Sequence, residues 1–150
     1  MDELLNPDEF KIDSFFSGET INDALITNDG EKNINNLIEY LIEPLDYFDE
    51  RKKKNIQLNK PLTLNQLRKF YDAFLKIYNT KSEEKEKKIQ LLMLKANAEY
   101  SAKRLFTNRF KFFLANRIDL VVKKSGKDFN KNLDAFKLHF EALVAYYPKN

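Results

Sequence analysis

Apolar side chains recur along this 150-residue chain with the spacing of an α-helix. Between residues 33 and 147, long stretches place Leu, Ile, Phe and Tyr three or four positions apart, which puts them on one face of a helix. Valine is rare, the three glycines fall between these stretches, and no segment predicts a strand. We therefore expect an all-α fold, a compact bundle of about five helices with an acidic, partly irregular N-terminal segment.

The chain divides into two predicted units. Residues 1–32 form the acidic N-terminal segment, in which Phe10, Phe15 and Phe16 are candidate docking points for the rest of the protein. Residues 33–150 form the helical bundle domain, whose length is sufficient for a hydrophobic core.

The first predicted helix begins after Asn33, a preferred N-cap residue, and extends to about Glu50. Pro44 lies inside this pattern and predicts a kink or a break, because proline has no amide hydrogen to donate. The basic run at 51–54 then opens a polar loop.

The second helix has the clearest local start signal. Thr63 and Gln66 form a capping box, and Leu62 and Leu67 are placed for a hydrophobic staple around it.

The third helix carries two apolar stripes on opposite sides, one from Ile89 to Tyr100 and one from Leu91 to Leu105. A helix that is apolar on two sides is expected to be packed on two sides, so we predict that it lies at the centre of the bundle. The fourth helix spans roughly 108–124. The fifth begins near Asp128 and has a weaker second stripe of its own.

Several classes of function are excluded or disfavoured by composition. No apolar run is long enough to span a membrane, cysteine is absent, and His139 is the single histidine. No phosphate-binding glycine loop or nucleophile motif occurs. We predict a protein that is not an enzyme, with no cofactor and no metal site, and the lack of cysteine and of a secretory signal predicts a cytoplasmic location.

The charge is divided unevenly along the chain. Residues 1–50 carry two lysines against fourteen acidic residues, a net charge of −12, whereas residues 51–150 carry 24 basic residues against nine acidic ones, a net of +15. A basic body of this kind predicts a polyanionic partner, with nucleic acid as the first candidate.

Most of the basic side chains lie on predicted helices, which can hold cations at fixed positions against phosphate groups. Arg68, Arg104 and Arg117 border or enter apolar faces, where an arginine needs either an internal acid or a phosphate, and both alternatives stay open. No exposed aromatic platform is evident, so binding should be independent of sequence and sensitive to salt. The predicted nucleic-acid contacts are Arg68, Lys69, Lys95, Lys103, Arg104, Arg109, Lys111 and Arg117.

Three stretches carry a resemblance to a known family. They are LTLNQLRKF at 62–70, the segment at 91–104 in which a Tyr is followed shortly by an Arg, and FEALVAY at 140–146. In this order and spacing they resemble the small α-helical subunit of the type III-A CRISPR (Csm) interference complex, over about residues 34–147.

The resemblance implies a non-catalytic prokaryotic subunit whose copies stack in a filament beside other Csm subunits. Its basic surface would line the path of the guide RNA and the target RNA. RNA-contact roles carry over by motif to Arg68, Lys103 and Arg104, and by location in the next helix to Arg109, Lys111 and Arg117.

Two other interpretations stay open. The chain can be a helical protein-interaction adaptor with no nucleic-acid role, which uses the second stripes of the third and fifth helices. It can also be a small subunit of a related RNA-guided complex. The extra apolar surface further leaves room for a homodimer of the isolated chain.

Overall fold

The computed structural model describes residues 10–30, 33–42, 45–49, 51–59, 62–102 and 108–149, with the backbone alone for 45–49, 54–59, 102 and 108. In chain order the elements are β1 (Phe16–Ser17), β2 (Thr20–Ile21), a 3₁₀ turn (Asp23–Leu25), α1 (Ile34–Ile42), β3 (Leu45–Asp49), β4 (Lys54–Asn59), α2 (Leu64–Asn79), α3 (Glu84–Ala102), α4 (Asn108–Val122) and α5 (Gly126–Tyr146). The all-α prediction of about five helices is confirmed, with two short hairpins added.

Residues 10–30, which we call the N-terminal strap, fold against the helices. The β1–β2 hairpin turns at Gly18, whose φ of +69° is a left-handed conformation that glycine adopts without steric cost. Phe15 and Leu25 are buried in the same core as the helices, while Phe10 and Phe16 pack at its edge. The three phenylalanines are thus docking points, as predicted.

Helix α1 is shorter than the sequence predicts. Asn33 is its N-cap, since its Oδ1 accepts a hydrogen bond from the amide of Asn35 at 2.9 Å. The predicted extension to Glu50 is wrong: α1 ends at Ile42, and β3 pairs with β4 as an antiparallel hairpin across the turn at 51–53. Pro44 explains the end of the helix, because proline also disfavours helical geometry in the residue before it.

The predicted start of α2 is confirmed. Thr63 Oγ1 accepts from the Gln66 amide at 3.2 Å, and Gln66 Oε1 accepts from the Thr63 amide at 3.0 Å. Leu62 and Leu67 on either side of this capping box are both buried. Such a cap contributes about 1 kcal/mol to helix stability. It also fixes the residue at which α2 begins, and with it the positions of the basic residues in the first two turns.

Helix α3 does not lie at the centre of the bundle, and this prediction is wrong. Its stripe through Leu91, Leu94 and Ala98 is buried against α2 and α4. The opposite stripe is exposed in the part of the chain that the structure describes, because helices pack against α3 from one side only. We call this surface the α3 stripe; it comprises Ile89, Leu92, Met93 and Tyr100, which are 44–63% exposed.

Helix α5 takes the central position instead, in contact with α1, α2 and α4. Phe136 and Phe140 stack on each other with ring centroids 5.4 Å apart, and Phe74 of α2 packs on both. Full burial of a phenylalanine side chain stabilises a fold by about 1.5–3 kcal/mol, so this cluster anchors the bundle. None of the described helices has the length and hydropathy needed to cross a membrane.

Candidate nucleic-acid interface

Arg68 and Lys69 stand side by side in the second turn of α2 and both are exposed. Arg68 is exposed although it follows the fully covered Leu67, so its side chain is not part of the buried face of α2. Within the described residues neither side chain has an ion pair or a hydrogen bond. Their charged ends are thus available to a partner outside the molecule.

Lys95 projects from α3 toward α4 and is paired within the protein. Its Nζ lies 2.9 and 3.1 Å from the two carboxylate oxygens of Asp119. The Lys95 side chain is 32% exposed and that of Asp119 54%. An ion pair this accessible is worth at most about 1 kcal/mol, so an external phosphate can compete for the ammonium group.

Three other predicted contacts lie on or before α4. Lys111 is half-buried, and its Nζ stands 5.0 Å from the ring centroid of Phe112. Lys103 and Arg104 lie outside the described residues, so their contacts stay a prediction.

Arg109 is buried at the start of α4 and makes contacts inside the protein. Its Nη1 donates to the main-chain oxygen of Tyr40 at 2.9 Å, and its guanidinium carbon lies 4.5 Å from the centroid of the Tyr40 ring. In the isolated subunit this side chain connects α4 to α1.

Arg117 lies on the buried face of α4, as the helical spacing predicts, and is 2% exposed. Its Nη1 donates to the carbonyl of Phe10 at 2.7 Å and to Oδ1 of Asn116 at 2.8 Å. Its Nε donates to Nε2 of His139 at 3.2 Å, and its guanidinium stands over the ring of Phe113. Among the described residues the partners of Arg117 are thus neutral groups inside the protein, and the internal acid offered as one alternative is not one of them.

Burial alters the titration of this pair. It lowers the pKa of Arg117 from 12.5 to about 9, which still leaves the guanidinium charged at neutral pH. Burial and the neighbouring charge of Arg117 lower the pKa of His139 to about 3, despite an opposing hydrogen bond to the carbonyl of Leu25. His139 is therefore a neutral core residue with both ring nitrogens in use.

Asn116 is a structural residue that the sequence did not single out. Its side-chain amide donates to the carbonyl of Ile12, and its Oδ1 accepts from the amide of the same residue, both at 3.1 Å. These two hydrogen bonds to the backbone of the strap form because the fold brings distant parts of the chain together, so no local sequence pattern predicts them.

The structure also gathers three lysines that the predicted set omits, two from the turn after α4 and one from α5. Lys123, Lys124 and Lys131 line one groove of about 300 Å³ between the strap and the junction of α4 with α5. Asp13 and Asp128 line the same groove and offset part of the charge. The signal in the sequence was the basic pair at the end of the fourth predicted helix, directly before the turn at Gly126.

A comparison with protein families matches the part of the chain that contains most of these elements to one family. The model of the Csm2 Type III-A family matches residues 42–149, which include α2 to α5 and the β3–β4 hairpin. The strap and nearly all of α1 precede the matched part. No curated protein and no solved structure matches the chain. Because the family match covers well over half of its residues, the chain belongs to the Csm2 Type III-A family, the small subunit of the type III-A CRISPR (Csm) complex.

Proposed function

We propose that this subunit is non-catalytic and contacts the phosphate backbone along the path of the guide RNA and the target RNA. The observation that carries the proposal is the exposed pair Arg68 and Lys69, fixed by a capped helix and without an ionic partner in the described chain. The family match supplies the context, an RNA-guided complex that we place in the prokaryotic cytoplasm.

Lys95 and Lys111 extend the proposed surface onto α3 and α4. Among the described residues, Lys95 pairs with the exposed carboxylate of Asp119, which a phosphate oxygen can replace. Lys103 and Arg104 belong to the same proposed surface by sequence. Arg109 and Arg117 contribute mainly as internal supports of α4, because their donors already bind carbonyl groups of α1 and the strap.

The non-catalytic part of the proposal is supported by the state of the single histidine. His139 is wholly buried and uses one nitrogen for Arg117 and the other for Leu25. It is therefore not placed to transfer a proton to a substrate, since a general acid or base must reach the reacting group.

The RNA contact is tested by reversing the charges of Arg68 and Lys69 together. Fluorescence anisotropy with a labelled RNA of about 40 nucleotides, at about 50 and 200 mM salt, measures affinity and its salt dependence. The R68E/K69E variant should bind at least about tenfold more weakly, and the slope of log affinity against log salt should decrease by about 1.4, as two lost single-strand phosphate contacts require.

The matched control is K85E/K127E, which makes the same charge change at two exposed lysines in the first turns of α3 and α5. Acidic residues are tolerated there because they interact favourably with the helix macrodipole. The helical circular dichroism spectrum should be unchanged in both variants. Equal loss of RNA binding in the control would overturn the assignment of a specific surface, as would unchanged binding in R68E/K69E.

A second surface supports packing against neighbouring protein subunits. The α3 stripe presents four large apolar side chains on one side of a rigid helix, and apolar patches of this kind commonly mark protein interfaces. We propose that it contacts another Csm subunit, including a further copy of this chain in a stacked filament. The same contact would account for a homodimer of the isolated chain.

The stripe also favours the alternative of a protein-interaction adaptor with no role in RNA binding. Complex assembly with an L92Q/M93Q variant separates the two functions. If this variant fails to join the complex while R68E/K69E joins it and retains full guide RNA, the adaptor interpretation is correct. If R68E/K69E assembles but carries less RNA, the RNA contact is supported.

A further inference from the structure

A cavity of about 480 Å³ lies between the strap, the start of α1, and helices α4 and α5. Arg117 and His139, both almost completely buried, form part of its wall. The remaining lining residues are Phe10, Lys11, Ile12, Asn22, Ala24, Leu25, Asn33, Asn36 and Leu37.

The described lining of this cavity carries a net positive charge. Arg117 remains protonated at neutral pH, and Lys11 adds a second cation. The described lining contains no Asp or Glu, and no carboxylate of the described residues interacts with the guanidinium. A buried cation without a counter-charge is unfavourable, so an anion that enters the cavity gains an unusually strong electrostatic interaction.

One donor nitrogen of Arg117 is available for such an anion. Nε and Nη1 are used by His139, Phe10 and Asn116, whereas Nη2 has no hydrogen-bond partner among the described residues. Nη2 is also not fully enclosed, since it is not among the described side-chain atoms that are both enclosed and without a hydrogen-bond partner. Nη2 is therefore the guanidinium nitrogen without a described partner, on a side chain that lines this cavity.

The walls indicate what the anion is attached to. Phe10, Ile12, Leu25 and Leu37 present apolar surface around the guanidinium, and asparagine side chains add polar groups. A fully hydrated inorganic ion would leave these apolar side chains in contact with water, whereas a short hydrocarbon group would remove them from water.

We propose that this cavity is a binding site for a small organic carboxylate, with the carboxylate on Arg117 Nη2 and a short apolar body against the strap and α1. The site is independent of the proposed RNA contact, since it uses neither Arg68 nor Lys69 and none of its lining residues belongs to α2.

Isovalerate is a suitable probe for the full chain. Isovaleramide is a neutral control of the same shape, and inorganic phosphate is a control anion that has no apolar group. Titration followed by ¹H–¹⁵N NMR at Arg117 Nε–H and at the Ile12 amide should show saturable shifts with isovalerate. The amide should bind at least about tenfold more weakly, as expected when a charge-assisted hydrogen bond is lost. Equal binding of isovalerate and isovaleramide, binding of phosphate as tight as isovalerate, or no shift with any probe would each overturn the proposal.

The variant N36D tests the site without removing Arg117, whose loss could unfold the strap. In the parent chain, Asn36 Oδ1 accepts a hydrogen bond from the Asn33 amide at 2.9 Å. The carboxylate of N36D can accept the same bond, and it places a negative charge in the cavity wall. It should abolish isovalerate binding and raise the thermal midpoint. N35D is the matched control, because it adds the same charge one residue away on the exposed side of α1. If both variants retain isovalerate binding, the cavity is not the site.

Discussion

Nε of Arg117 donates a hydrogen bond to Nε2 of His139 across 3.2 Å of buried core, between α4 and α5. Because Nε2 accepts this bond, the histidine proton must reside on Nδ1, which lies 2.8 Å from the carbonyl oxygen of Leu25. A cation and a neutral imidazole thus connect two helices to the strap. This arrangement requires His139 to stay unprotonated, since an imidazolium would face the guanidinium with no lone pair to offer.

The first prediction concerns the stability of the protein in mild acid. The folded chain keeps the His139 pKa at about 3, whereas an unfolded chain protonates it near 6.5. Between these values the unfolded state binds more protons, so the free energy of unfolding should fall by up to about 1.4 kcal/mol per pH unit as the pH decreases. Above pH 6.5 this contribution is constant.

Because His139 is the single histidine, the window from about pH 6.5 to 5 isolates its effect from most carboxylates. Urea unfolding at half-unit steps measures the slope. The H139N variant retains a donor for Leu25 and does not titrate, so its stability should be lower at pH 7 and nearly flat across this window. A parallel decline in H139N would assign the acid sensitivity to other groups.

A second prediction concerns the clamp between Asn116 and the strap. N116A removes both hydrogen bonds to the Ile12 backbone and should cost about 1–3 kcal/mol, because two partly buried backbone groups lose their partners. Limited trypsinolysis should then cut after Lys11 faster than in the parent chain. N130A removes an exposed asparagine of α5 and should leave both measurements unchanged; equal cleavage rates in all three proteins would show that Asn116 does not restrain the strap.

A third prediction separates two adjacent aromatic residues of the strap. Phe15 is fully buried and stacks on Phe136 with centroids 5.9 Å apart, so F15A should destabilise the protein by about 3–5 kcal/mol. Phe16 is half-buried under the ammonium group of Lys131, and F16A should cost about 1 kcal/mol. Chemical denaturation of the two variants measures the difference, and equal costs would show that the strap does not share the helical core.

A fourth prediction rests on the proposed RNA contact. D119N releases Lys95 from its ion pair and should strengthen RNA binding measurably, while stability changes by less than about 1 kcal/mol because the pair is exposed. D128N removes an exposed acid at the start of α5 and controls for the change in net charge. Anisotropy at low and moderate salt provides the comparison. A gain of equal size in D128N would indicate a general charge effect, with no specific part for Lys95.

Local signals predicted the helices well where the decisive interactions are local. The Thr63–Gln66 capping box fixed the start of α2, and Asn33 was correctly placed as an N-cap. The β3–β4 hairpin was missed because residues 34–48 fit a helical period up to and beyond Pro44. The alternation of Ile56 and Leu58 with polar neighbours is a period-two signal that could have indicated β4.

Tertiary relationships were less accessible. The two stripes of α3 were correctly located, yet the sequence could not tell which one other helices cover, since both are similarly apolar. Arg117 was correctly placed on a buried face, but its partners Phe10 and His139 are distant in sequence and became evident only from the fold. Among the proposed RNA contacts, helical spacing could not distinguish the exposed Arg68 from the buried Arg109.

The strap has a consequence for the order of events during translation. Its contacts with Asn116, Arg117 and His139 join residues separated by 104 to 114 positions. At a synthesis rate of about 5–20 residues per second, the strap therefore waits roughly 5–20 seconds on the ribosome before α4 and α5 exist to receive it. The strap stays undocked throughout this interval, and the core closes only when α5 emerges.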